Sequence, residues 1–553
     1  MIAVQIVTLG INYLGDGLHD ALNPNPSKAI QMFDLILKNG TVIDGTKTPR
    51  YQADVAIQGD RIVKVGRLTA EESRQIIDAT GKIVAPGFVD VHNHSDGWLL
   101  NTPHLFSKTS QGFTSEVIMA DGISYAPVNE QTAYEWMYYL RALDGLRFEE
   151  YSGWQSLGDY MALLDGATVQ NSIAHLPYAN VRTLVCGFGE RVVDDYQLQQ
   201  IRAEVERGMA DGAVGLSTGL DYIAQCWATT DELVAACQPM AQIGGLYATH
   251  MRYKRGTLAA LQEAVEIGRR AGVPVHISHL KGATPQETES LLTYIDTIAL
   301  QEVSFSFDVY PYMPGSTMLN YLLPYEAWTD GPFGVLRKLR DPAIRRRCAQ
   351  ALENEGTDFA SIHIAWVMGK ENAKYQGKTL AEYIAAVKLP PVDALCNLLI
   401  EENLAVLLVF HQGADELVHP FLQHKCYMMG TDGIYQPDSV IHPRQYGSAA
   451  RLLGPCVRDH SLFSLEEAVH KLSALPAERF GLKQRGVVRD GWFADLVVFD
   501  SATICDRATF HEPHQPSVGV EQVIVNGVPI IQGGQPVSNL PTPLPGRALR
   551  FKR

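Results

Sequence analysis

The sequence predicts an α/β protein: a (β/α)8 barrel of the TIM type, carrying a small β-sandwich built from both chain ends. Three observations carry this. Alternating apolar residues broken by Asn-Gly and Gly-Asp turns fill residues 33–85 and return after residue 481. Between these flanks, helix-then-strand units recur over roughly 350 residues. The length, 553 residues, exceeds what one simple core holds, so two or three domains are expected.

Taken in order, residues 1–32 read as an N-terminal extension. "MIAVQIVTLGINYLGDG" lacks a basic start and a long apolar run, which argues against a signal peptide. "MFDLILKNG", from Met32, is the more natural beginning. Residues 33–85 form the first part of the sandwich, through "FDLILKNGTVID", "YQADVAIQGDRIVKVG" and "RQIIDATGKIVAPG". The barrel is expected over 86–480. "TLAALQEAVEIGRRAG" (257–272) places Leu258, Leu261 and Val265 at helical spacing and stops at Gly272. "VPVHISH" (273–279) follows at once as a strand, and "DELVAACQPMAQIGGLYATH" (231–250) repeats the rhythm. Residues 318–400 fit that rhythm poorly and are expected to be an insertion over the barrel mouth. "RGVVRDGWFADLVVFD" and "VEQVIVNGVPIIQGG" complete the sandwich within 481–553, followed by a C-terminal tail.

Composition narrows the function classes. Apolar residues make up 46% and charged residues 19%, as in a globular soluble chain. A net charge of −15 argues against nucleic acid or an anionic membrane as a partner. No stretch approaches the roughly 20 apolar residues that span a bilayer. Cys186, Cys226, Cys237, Cys348, Cys396, Cys426, Cys456 and Cys505 show no CxxC pairing. They form neither a disulfide framework nor a zinc ribbon, and a reducing cytoplasm fits best. The sequence leaves homo-oligomerisation open.

The chemistry lies at the strand tips. In a barrel of this type the C-terminal ends of the strands converge on one mouth. "GFVDVHNH" ends in His92 and His94, two apart and so on one face of a strand. "EVIMADG" ends in Asp121, "GGLYATH" in His250, "VPVHISH" in His279 and "YMMGTDG" in Asp432. One histidine after a strand is usually structural; a ligand-competent residue at every tip points to a metal site. Imidazole with carboxylate suits zinc, with manganese, iron and cobalt left open. Four histidines and two aspartates exceed one tetrahedral ion, so one or two ions are expected. A bound ion lowers the pKa of water to about 7 and polarises a carbonyl. A nearby carboxylate then moves the proton, and Asp432 is the expected acid/base.

These residues resemble the amidohydrolase superfamily, and within it the N-acyl-D-amino-acid deacylase (D-aminoacylase) group. The marks are "APGFVDVHNHSD", "GAVGLSTGLDY", "THMRYK", "HISHLKG", "DVYPYMPGST", "GTDG", "HPRQYG" and "PGRALR", in that order from about residue 33 to the end. The resemblance implies a hydrolase removing the acyl group from N-acyl-D-amino acids. His92 and His94 would hold the more buried metal, and His250 and His279 the tightly held zinc, with Asp432 as acid/base. Tyr222, Lys281, Tyr310, Ser316 and Arg444 would hold the substrate's α-carboxylate. One departure stands out: the family usually has "GNCGIS" where this chain reads "MADGIS". Asp121 thus replaces a bridging cysteine, a harder ligand that alters metal preference. The alternative is a cyclic-amide hydrolase of the hydantoinase or dihydroorotase kind, or a hydrolase of another amide or carbamate. The cyclic-amide relatives generally bridge their metals with a carboxylated lysine, and no lysine here takes that position.

Overall fold

Alternating and continuous apolar runs decide where the strands form. The structure, a computed structural model, describes residues 32–68 and 73–551. The extension expected over 1–32 therefore lies outside the described residues, apart from Met32. The chain is mixed α/β.

Eight parallel stretches carry the central topology: β1 (Phe88–Asp90), β2 (Phe113–Ile118), β3 (Asn171–Ala174, resumed at Leu176–Pro177), β4 (Gly215–Gly219), β5 (Leu246–His250), β6 (Val275–Ile277), β7 (Phe305–Val309) and β8 (Tyr427–Met429). Consecutive members pair in parallel from β1 to β7, and β7 pairs with β8. The last pairs with the first through the backbone: Val91 N–H donates to Met429 O at 3.1 Å, and Asp432 N–H to His92 O at 2.7 Å. The strands β2 and β5 are buried at every position, as expected where both faces of a parallel sheet are covered.

The helices follow the sequence signals. Thr257–Ala271 buries Leu261, Ala264, Val265 and Gly268 on one side. It ends at Gly272, whose φ of 72° only glycine adopts cheaply and whose N–H closes on Gly268 O. No single described helix is long and apolar enough to cross a membrane. One bent pair, Leu380–Val387 with Pro391–Glu401, passes that test jointly, but it breaks by 93° and buries Leu395, Leu398 and Leu399.

The two chain ends share one nine-stranded sheet. Its centre is the antiparallel pair Ile83–Pro86 and Leu496–Phe499, registered Leu496 to Pro86 and Phe499 to Ile83. Leu35, Leu37, Val55, Val84, Leu496, Val498 and Ile524 form one apolar cluster from both ends. A further antiparallel sheet, Gly315–Met318, Val406–Phe410 and Ile362–Val367, stands apart from the parallel strands. The segment around 318–400 contributes the strand Ile362–Val367 to that sheet and holds four α-helices between Gly331 and Glu401.

Candidate metal centre and substrate cavity

Each predicted ligand sits at or just beyond a strand's C-terminal end. His250 closes β5. His92 and His94 follow β1, and His94 lies in a short strand whose register pairs Ile434 with it. Asp121, His279 and Asp432 follow β2, β6 and β8. These last three share a left-handed backbone, with φ of 56°, 40° and 48°. For non-glycine residues that costs roughly 1–3 kcal/mol each and clusters at functional sites. Gly430 makes room for the turn before Asp432. A Cβ there would lie 2.5 Å from Asp308 Oδ1 and 2.7 Å from the His92 Cβ.

The side chains converge. One ligand atom each from His92, Asp121 and His279 fall within 4.8 Å of one another, and so do those of His92, His94 and Asp432. His92 belongs to both sets. Asp121 lies between them: its Oδ1 is 3.5 Å from His92 Nε2 and 4.0 Å from His279 Nε2. Its Oδ2 is 3.7 Å from His94 Nε2. The second pair closes through His250 Nδ1, 3.1 Å from His279 Nε2. Asp432 Oδ1 is 3.2 Å from His94 Nε2 and 3.6 Å from His92 Nε2.

The outward nitrogens are also addressed. His92 Nδ1 lies 3.4 Å from Asp308, His94 Nδ1 3.3 Å from Asp144 and His250 Nε2 3.6 Å from Asp221. His279 Nδ1 lies 3.2 Å from the Tyr253 hydroxyl. Such partners fix ring orientation and ligand basicity in metal sites. Sequence reasoning missed this layer. Asp308 and Asp221 sit in the quoted stretches "DVYPY" and "GLDY", but Asp144, in a loop, gives no signal.

The donor set fits a divalent cation. Among the described residues, His92 Nε2 and Asp121 Oδ1, both facing the centre, are buried without a hydrogen-bond partner. Unpaired buried donors and acceptors are costly, and an ion at the point of convergence removes that cost for those facing it. Burial opposes ionisation of Asp432, but Arg444 and the imidazoles outweigh it and hold its carboxyl well below the usual range.

A cavity of about 520 Å³ opens over this centre, and His94, Asp121, His250, His279 and Asp432 reach it. His92, 1% exposed, does not line it. Of the five expected carboxylate-binding residues, Tyr222, Lys281, Tyr310 and Ser316 line the cavity. Lys281 Nζ donates to the Tyr310 hydroxyl at 2.8 Å and to Met313 O at 3.0 Å. Burial, then the Arg444 charge, brings its ammonium down to about 7. Tyr222 meets Thr317 Oγ1 at 3.1 Å, and Ser316 Oγ donates to Leu408 O at 2.7 Å. Arg444 is fully buried and does not line the cavity. Its guanidinium is 2.8 Å from Asp432 Oδ2 and 4.4 Å from the Tyr310 ring centre. Cys226 is buried nearby with its thiol pushed up to about 12, which suits packing rather than nucleophilic attack.

Comparison with known proteins agrees with this geometry. The profile of the Amidohydrolase family matches residues 75–308 and 424–531. The unmatched stretch between them, 309–423, contains the separate antiparallel sheet. A D-aminoacylase from Alcaligenes xylosoxydans xylosoxydans is 36% identical over 508 residues, covering 91% of this chain and 95% of the relative. An N-acyl-D-glutamate deacylase from the same organism is 35% identical over 537 residues, covering 94% and 97%. The N-acyl-D-glutamate deacylase of Bordetella bronchiseptica was solved with zinc and a phosphonate that mimics the tetrahedral intermediate. It superposes with a TM-score of 0.79 at 31% identity, covering 94% of this chain and all of that one (100%).

Proposed function

The chain belongs to the amidohydrolase family, and from that premise we propose that it is a metal-dependent hydrolase removing the acyl group from N-acyl-D-amino acids. We read the eight parallel strands as a closed (β/α)8 barrel over 86–480, an arrangement the Val91–Met429 bond supports. The sheet shared by 33–85 and 481–553 is read as the small β-sandwich, and the stretch around 318–400 as an insertion at the barrel mouth. With eight unpaired cysteines, a reducing cytoplasm suits the protein.

One observation carries the chemical reading. Four imidazoles each turn one nitrogen to a common centre and the other towards a carboxylate or a tyrosine hydroxyl. His92 and His94 with Asp432 would hold one divalent ion, most simply zinc, and His250 with His279 a second, with Asp121 between them. Such an ion, when bound, acidifies water and polarises the scissile carbonyl. The chain's own residues do the rest. Asp432, held ionised beside Arg444, takes the proton from the attacking water and delivers it to the leaving amine nitrogen. Lys281 and the Tyr310 hydroxyl face the cavity and orient the α-carboxylate, with Ser316 and Tyr222 shaping the same wall. Arg444 supports this set from beneath Tyr310 and Asp432.

A cyclic-amide reading is disfavoured. Among the described residues Lys281 is the single lysine lining the cavity, and its amine is committed to Tyr310 and Met313, so it does not bridge the histidines.

The test strips the protein with a chelator and reloads it in turn with zinc, manganese and cobalt. N-acetyl derivatives of D- and L-amino acids are then assayed alongside metal content. Metal-dependent hydrolysis of the D series is expected. Strict preference for the L series would overturn the stereochemical assignment, and inertness of the reloaded protein towards every amide would overturn the activity.

A further inference from the structure

The antiparallel sheet has a second face, and two histidines meet there. Its register pairs Ile362 with Phe410 and His363 with Val409. Side chains alternate along a strand, so His411, two beyond Val409, shares a face with His363. Ile362 and Phe410 line the substrate cavity. His363 and His411 line a separate cavity of about 440 Å³ behind them. There His363 Nδ1 stands 2.7 Å from His411 Nε2. The strand-tip centre carries the same signature, with His250 Nδ1 3.1 Å from His279 Nε2.

Three further features suit coordination. The other nitrogen of His363, Nε2, is directed at Val440 O, 3.3 Å away. With the ring proton there, Nδ1 presents its lone pair to the cavity, the usual arrangement of a metal-bound imidazole. A third imidazole stands at the rim. A turn closed by Thr509 N–H to Glu512 O at 3.2 Å, and by Glu512 N–H to Thr509 Oγ1 at 3.0 Å, brings the exposed His511 to the same cavity. Its neighbour Phe510 packs edge-on against the His411 ring, with centres 4.7 Å apart. Finally, among the described residues no carboxylate lines this cavity, and an all-imidazole set selects zinc, copper or nickel over magnesium or calcium. We propose that His363 and His411, with His511 closing from the rim, form a peripheral metal site for a divalent transition ion, apart from the strand-tip centre. Tetrahedral coordination at roughly 2.1 Å needs the two nitrogens roughly 3.4 Å apart, so the rings part by under about 1 Å. With fewer converging donors, this site fills only after the strand-tip centre. A filled site joins the sheet that walls the substrate cavity to the turn at 509–512, from the C-terminal part of the chain.

The experiment starts from zinc-loaded protein, desalted to remove loosely held ions, and adds copper(II) as the probe. Elemental analysis should show copper gained with the zinc retained. The electron paramagnetic resonance spectrum should show two or three imidazole nitrogens on that copper. The double variant His363→Gln, His411→Gln should lose the signal while keeping its zinc. His411→Gln alone, at a partly exposed position, serves where the buried His363 proves necessary for folding, and it should weaken copper binding several-fold. So should His511→Ala at the exposed rim. Copper gained only as zinc is released would place it at the strand-tip centre and overturn the proposal. A spectrum without imidazole nitrogen, or an undiminished signal in His411→Gln, would overturn it as well. None of these outcomes bears on the deacylase reading, which is tested by turnover at the strand-tip centre.

Discussion

The ring of strand tips and the wall of the cavity are built on different principles. The ring is drawn from strands of one parallel system, and its donors are buried, converging and braced by carboxylates. The wall comes mainly from elsewhere: the segments around Gly315–Met318, residues 355–362 and Phe410, on or beside the separate antiparallel sheet. The family profile draws the same line, matching the ring's strands and skipping 309–423. On the proposed reading, the contrast assigns the reaction to the scaffold and the choice of substrate to the segments that form the wall. Ring variants should therefore change turnover on every substrate, and wall variants should change which substrate is used.

The largest effect belongs to the ring. Asp432→Asn keeps size and shape but removes the proton acceptor, so kcat should fall by about 10²–10⁴ on all N-acyl-D-amino acids. Thermal unfolding and circular dichroism should stay near wild type. Near-normal kcat in this variant would remove Asp432 from the acid/base role and break the division between ring and wall.

The next effect separates the two cations. Lys281 lines the cavity and Arg444 does not. Lys281→Met should raise KM about 10–150-fold, the worth of a hydrogen bond to a charged group, for substrates bearing an α-carboxylate. An acyl amide without that carboxylate should be little affected. Arg444→Met, acting through Asp432 at 2.8 Å, should instead lower kcat on both. If the two variants behave alike, Arg444 reaches the substrate directly.

A smaller effect tests the bracing. Asp308 receives His276 Nε2–H at 2.9 Å and lies 3.4 Å from His92 Nδ1. Asp308→Asn should weaken metal retention about 10–100-fold, measured by chelator competition. Unchanged retention would mean the His92 ring is held by packing alone.

Legibility in the sequence follows the same division. The helix at 257–272 and its stop at Gly272 were readable because periodicity and a C-terminal glycine are local signals. The six converging residues were readable as candidates because each stands at or shortly after a strand's end and the residue type is unusual there. The Lys281 and Tyr310 positions were readable only through the family resemblance, since an isolated lysine or tyrosine carries no local mark. Nothing in the sequence showed that Arg444, opening the helix Arg444–Arg451, would pair with Asp432, because that pairing carries no local pattern. The bracing carboxylates Asp144 and Asp221 were equally hidden: their meaning lies in a distance to a histidine far along the chain. Residues 355–362 meet the cavity only because the antiparallel sheet brings them back to it, and no pattern within 318–400 announces that return.

The smallest effect probes whether the two regions also differ in acid stability. Burial lowers His104, in the scaffold between β1 and β2, and His363, on the antiparallel sheet, each to about 4, against an ordinary 6.5 in the unfolded chain. Between pH 4 and 6.5 the unfolded chain then binds more protons than the folded one, so stability rises with pH across that window. The contribution is fully present above about 6.5 and is lost as pH falls towards 4. At one pKa unit per roughly 1.4 kcal/mol, each site contributes at most about 3.5 kcal/mol, and partial exposure reduces that. Hydrogen exchange at pH 7 and pH 5 should show protection falling in both regions. His363→Gln should flatten the fall on the antiparallel sheet alone, and His104→Gln in the scaffold around Phe106–Thr109 alone. A fall in the wild type that neither variant flattens would place the acid sensitivity in other groups. If His363→Gln flattened both regions together, the sheet and the scaffold would unfold as one cooperative unit, and the line drawn between scaffold and wall would be chemical rather than mechanical.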